Sequence, residues 1–115
     1  MAPRYVPFEP TGPTIKVASD STAPTGVTTS ADGGGSLMQY RIHNSGTVMA
    51  SYAFGIDGAT AKANAVVPTG DGVNAKRSIP IGAGAIEVIT APRGTYWSAI
   101  SASAVSVYIT PGAGV

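Results

Sequence analysis

The chain contains no cysteine. That excludes disulfides, thiol catalysis and thiolate metal sites, and it leaves the redox compartment open. It contains one histidine, His43, so a metal centre would have to be assembled from scattered carboxylates. No apolar run reaches the roughly 18 residues that a membrane-spanning helix needs. Charge is scarce as well. Only 11% of residues are charged, against about 25% in ordinary soluble domains. The seven basic and six acidic residues are spread along the chain and sum to +1. No basic cluster exists to neutralise a phosphate backbone, so nucleic acid is not an expected partner. A sparsely charged surface has little repulsion to keep copies apart. It fits extensive protein–protein contact as well as it fits a small soluble β domain with a Ser/Thr-rich face. A secretory leader is not expected, because Pro3, Pro7, Glu9 and Pro10 fall where an apolar core would be required.

What is abundant is turn chemistry: 15 glycines and 9 prolines in 115 residues. One domain is expected at this length. Between the turns lie short runs rich in Val, Ile, Thr, Tyr and Trp, which are strand signals. The stretch Ile79–Gly112 reads as a β-meander of such runs, with Val105, Val107 and Ile109 alternating with Ser106, Tyr108 and Thr110. Met38, Tyr40 and Ile42 alternate in the same way, and Asn44-Ser45-Gly46 is a turn signal. Leu37–Phe54 is therefore expected to form a β-hairpin. Pro80 marks an edge or bulge position. Asp57–Asn74 carries two Asp-Gly pairs; the alanines of Ala59–Val67 would allow a short helix, but with Thr60, Asn64, two valines and no apolar stripe it is expected to be a long loop with one short strand near Val66, a type often functional. About eight short strands predict an all-β fold, an antiparallel β-sandwich with a jelly roll favoured, over residues 13–115. Residues 1–12 hold three prolines beside the apolar Tyr5, Val6 and Phe8. They are expected to form an extended N-terminal arm lying on a neighbouring subunit, against the alternatives of a strand or coil packed on the domain itself or a frayed terminus.

No catalytic constellation emerges. His43 lies on the polar row of its strand and reads as an exposed strand histidine. Asp20, Asp32, Asp57 and Asp71 sit in Gly-, Ser- or Thr-rich loops, where aspartate supports turns. Nothing pairs two carboxylates as a glycosidase needs, and the ligand count is too small for a calcium loop. Gly33, Gly34 and Gly35 lack the lysine and hydroxyl of a phosphate loop. No cofactor is expected. The pointed features are aromatic. Tyr96 and Trp97 are adjacent on a strand, so one ring enters the core and the other meets solvent or a partner. Trp97 is the stronger core candidate, while either ring suits an interface anchor or a sugar platform.

The segments Arg41–Thr47 with Ala53-Phe54-Gly55, Ile81–Ile89 with Tyr96–Ile100, and Val107–Gly114 together resemble the small virion proteins of tailed bacteriophages. Over residues 37–114 the patterning is similar to capsid cement or decoration proteins with a jelly-roll β-sandwich. The resemblance rests on strands and turns and transfers no set of functional residues. It implies a structural, non-enzymatic virion protein, made in the host cytoplasm and bound to the outer capsid surface. It would bind as a homo-oligomer, dimer or trimer, that cements neighbouring copies of the major capsid protein. The candidate interface residues are Tyr5, Val6, Phe8, Tyr96 and Trp97. The alternative is a carbohydrate- or protein-binding β-sandwich of a phage fibre or secreted protein. No membrane partner is expected on either reading.

Overall fold

The computed structural model describes residues 8–29, 37–68 and 78–113. Within them are nine strands and one short helix: β1 (Glu9–Pro10), β2 (Ile15–Ser19), β3 (Val27–Thr28), β4 (Leu37–Asn44), β5 (Ala50–Gly55), α1 (Gly58–Asn64), β6 (Ile79–Ile81), β7 (Ile86–Pro92), β8 (Tyr96–Ser101) and β9 (Val105–Ala113). They form two antiparallel sheets. In sheet A, β9 pairs with β4 and β4 with β7, while β1 and β2 lie end to end along the other side of β9. Sheet B has the order β3-β8-β5-β6. The sheets pack face to face as the expected all-β sandwich.

The pairing follows one plan. β2 pairs with β9, β3 with β8, β4 with β7, and β5 with β6. The chain is thus a single long hairpin, rolled until β4 meets β9 and β5 meets β8. Two local expectations fail as a result. Leu37–Phe54 is not a hairpin, because β4 and β5 belong to different sheets. Ile79–Gly112 is not a meander either. From β6 to β9 the chain switches sheet at every step, and among the described strands only β5 and β6 are both consecutive and paired. Period-two alternation marks the face a strand buries, not the strand beside it. A neighbour across the sandwich gives the same pattern as a neighbour in the sheet.

The corner after β4 is built by a buried side chain. Asn44 Nδ2 donates to the carbonyls of Val48 (2.9 Å) and Ile81 (3.1 Å), and Asn44 Oδ1 accepts from the Gly46 amide (2.9 Å). Gly46 faces Val105 so closely that a side chain there would collide with it. The last strand, β9, runs through Pro111 to Ala113. Pro111 is tolerated because it lies opposite the break between β1 and β2, where its carbonyl accepts from the Thr11 amide at 2.9 Å.

Trp97 is the hub of the core. It is fully buried, with ring centroids at 4.9 Å from Tyr40, 5.3 Å from Phe54 and 6.2 Å from Tyr52. Ile42, Ile81, Ile109, Val17 and Val107 close the two sheets around it. The long loop expected at Asp57–Asn74 contains α1 instead. Asp57 caps it, its Oδ1 accepting from the Thr60 amide at 2.7 Å; that hydrogen bond holds the carboxyl below the usual carboxylate range. The helix turns Ala61 inward, and Ala65 just beyond it packs with Ala53, Ala23 and Ile100. An alanine-only face carries little hydrophobicity, which is why no stripe stands out in the sequence.

Candidate functional site

The two outer faces of the sandwich are treated differently. That of sheet B is covered by the chain itself. α1 lies across β5 and β8, and the β2–β3 loop is tied down by Ser98 Oγ donating to the Pro24 carbonyl at 2.6 Å. Gly26 and Gly58 permit this close approach, with the Gly26 amide bonded to the Gly58 carbonyl at 3.0 Å. A side chain at Gly26 would press on Ala61.

Among the described residues the outer face of sheet A is covered at one end, where Phe8 lies over Gly112 and Thr14 bonds Thr110, and is open around Ile86, Val88 and Tyr108. The strand registers set its residues in rows. Ile86 lies opposite His43, His43 opposite Tyr108, and Tyr108 opposite Lys16. The next row runs from Val88 through Arg41 to Thr110, whose hydroxyl shares a 2.7 Å hydrogen bond with that of Thr14. An antiparallel sheet facing water normally shows polar residues there. Here Ile86 is 50% exposed, Val88 49% and Tyr108 37%. The rings of His43 and Tyr108 lie 6.4 Å apart. Arg41 and Lys16 make the face cationic, and among the described residues no carboxylate offsets them. Glu87 points inward and accepts from the Tyr52 hydroxyl at 2.8 Å. Glu9 lies beside Ala113 at the far end of β9, Asp20 bridges to Ile100 of β8, and Asp57 caps α1.

The expected interface residues are dispersed. Tyr5 and Val6 lie outside the described residues. Phe8 is half-buried, and its ring fills the space that a side chain at Gly112 would occupy. The described part of the expected arm, Phe8–Gly12, therefore rests on its own domain through β1. Trp97 is in the core, so its ring is withdrawn from any partner. Tyr96 is half-buried on β8, between Thr28 and Gly55. Ile86, Val88 and Tyr108 were not among the expected candidates. The signal for them was present in Ile86-Glu87-Val88-Ile89, where apolar residues occupy both faces of one strand.

Chemistry of a reactive kind is sparse. His43 is half-buried against Tyr108, as a strand histidine. An open depression of about 370 Å³ at one end of the sandwich is lined by Asp20, Ser45, Val105 and Ser106; the Asp20 carboxylate there accepts from the Ser21 amide at 2.8 Å. Among the described residues no group of three or more His, Asp or Glu is placed to hold a metal ion. No helix among them is long and apolar enough to cross a membrane. Comparison of the chain with protein-family models, with curated proteins and with solved structures gave no match.

Proposed function

We propose that this protein is a structural component of a tailed-phage virion, bound to the outside of the capsid as an oligomer and cementing neighbouring major capsid proteins. One observation carries this reading: among the described residues sheet A presents an apolar, cationic face open around Ile86, Val88 and Tyr108, while α1 lies across sheet B. Such a face suits a broad protein partner with acidic and apolar residues. The rolled-hairpin strand order supports the further reading of the fold as a jelly roll, an architecture of viral capsid proteins. The work assigned is binding and not catalysis.

The physics of cementing is mass action. A protein that binds only the assembled shell stabilises that shell, and many symmetric copies multiply a modest contact by avidity. Tyr5, Val6 and Phe8 are assigned by this reading to the same partner contact. The alternative of a carbohydrate-binding module is weakened by burial of Trp97, which leaves Tyr96 as the single ring of the expected platform. Quantitative mass spectrometry of purified particles tests the reading. It predicts copies in a fixed, high ratio to the major capsid protein. Absence of the chain from particles, or specific hits on a glycan array, would overturn it.

A further inference from the structure

Among the described strands the sandwich has four sheet edges, and three of them are blunted. β3 has two residues. β6 has three, with Pro80 at its centre. The β1–β2 edge is interrupted around Pro13 and carries Pro10 and Lys16. These are the usual guards against strand-to-strand association. β7 is longer and unbroken, and its one guard is the inward-pointing Glu87. It pairs with β4 without a bulge from Ile86 to Pro92, holds no lysine or arginine, and places its one proline last. Its other side is unpaired among the described strands.

The backbone groups facing that side can be assigned. The Asn44 amide donates to the Ala85 carbonyl, and the Ser45 amide to the Ser106 carbonyl of the opposite neighbour. By antiparallel alternation, Glu87, Ile89 and Ala91 direct their backbone groups to β4, and Ile86, Val88 and Thr90 direct theirs to the open edge. We propose that this edge pairs with β7 of a second copy, antiparallel about a two-fold axis at Val88, making one continuous sheet across a dimer. In that register Val88 exchanges both hydrogen bonds with Val88 of the second copy. Ile86 exchanges both with Thr90 of the second copy, and Thr90 with Ile86. Every edge-facing N–H and C=O of the three residues is then bonded.

The outer face of the seam carries no like charges, and on the inner face the two Glu87 residues are diagonal rather than directly opposite. Glu87 is turned inward to Tyr52, so no like charges meet across the seam on the outer face, where Val88 would lie beside Val88. Arg41 stays one strand away on each side. The joined sheet doubles the open cationic face in one plane, while a single strand pair buries less than the roughly 1,200 Å² of a stable interface. The dimer is therefore concentration-dependent and firm only where many copies are held together. This inference takes from the proposed function only self-association.

The absence of cysteine makes a clean test. Val88→Cys puts the two thiols on the axis, with Cα atoms about 5.5 Å apart, inside the range for a disulfide. Tyr108→Cys lies on the same outer face but more than about 24 Å from its mate, five strand spacings across and four residues along the strands. Mild oxidation should link Val88→Cys into a covalent dimer and leave Tyr108→Cys monomeric. Sedimentation of the unmodified protein should show a concentration-dependent dimer that Val88→Lys abolishes without lowering the melting temperature. A protein monomeric at every soluble concentration, or linkage at Tyr108→Cys as fast as at Val88→Cys, would overturn the edge pairing. A chain that dimerises this way but is missing from particles would instead overturn the virion reading and leave the edge pairing standing.

Discussion

Replacing Trp97 by alanine probes the centre of the sandwich. The ring is fully buried between Tyr40, Phe54 and Tyr52. Losing about 200 Å² of buried side chain at about 25 cal/mol per Å² costs about 5 kcal/mol. The indole Nε1 is buried and has no hydrogen-bond partner among the described residues, so its removal returns about 1 kcal/mol. The net loss is about 4 kcal/mol, within the range of about 3–5 kcal/mol for such truncations. With an unfolding entropy of about 0.24 kcal/mol/K for 115 residues, the melting temperature should fall by about 17 °C. Trp97→Phe keeps most of the ring contacts and also discards the unpartnered donor, so it should cost about 1 kcal/mol or less. Urea titration and calorimetry at low protein concentration read both values. An alanine variant within about 1 kcal/mol of the parent would refute the placement of Trp97 as the core hub.

Three further outcomes follow from the contacts. Asn44→Ala strands the Gly46 amide and the carbonyls of Val48 and Ile81, and should cost about 3 kcal/mol by denaturant titration. The Tyr52 hydroxyl is raised far above the ordinary tyrosine range by burial and then by the bond to, and charge of, Glu87; Tyr40 is raised mainly by burial. Their stabilising contribution is complete below about pH 10, the unfolded tyrosine value. Above it, stability should fall by up to about 1.4 kcal/mol per pH unit for each tyrosine, and Tyr52→Phe should remove its share of that slope in urea titrations at alkaline pH. Gly112→Ala drives a methyl group into the Phe8 ring and the Glu9 carbonyl. It should lift β1 off β9, seen as faster hydrogen exchange at the Thr11 amide, which is bonded to Pro111.

Much of the fold was legible in residue alternation. The rows Met38-Tyr40-Ile42 and Val105-Val107-Ile109 are buried as expected, and Pro80 does fall on an edge strand. Strand partners were not legible, because a short turn can close a hairpin or carry the chain over to the facing sheet. At Asn44 the difference lies in a side chain that bonds Ile81, a residue remote in sequence. Helix α1 was hidden for another reason: Asp57-Gly58 is a turn signal and also a helix cap, and alanine makes a weak apolar stripe. The candidate surface was legible only in part. Trp97 drew attention by size, and its size is what places it in the core. Ile86-Glu87-Val88-Ile89 signals apolar residues on both faces but not which face is open; β7 turns Glu87, Ile89 and Ala91 inward and leaves Ile86 and Val88 exposed.

The central claim is that the open face of sheet A is the working surface. Co-sedimentation with purified particles lacking the protein tests it directly, comparing Arg41→Glu/Tyr108→Ser on that face with Lys62→Glu on α1, which covers sheet B. The account predicts that the sheet A variant keeps its melting temperature yet loses at least about tenfold in affinity, equivalent to about 1.4 kcal/mol, while Lys62→Glu binds as the parent does. Undiminished binding by the sheet A variant, or loss confined to Lys62→Glu, would contradict it.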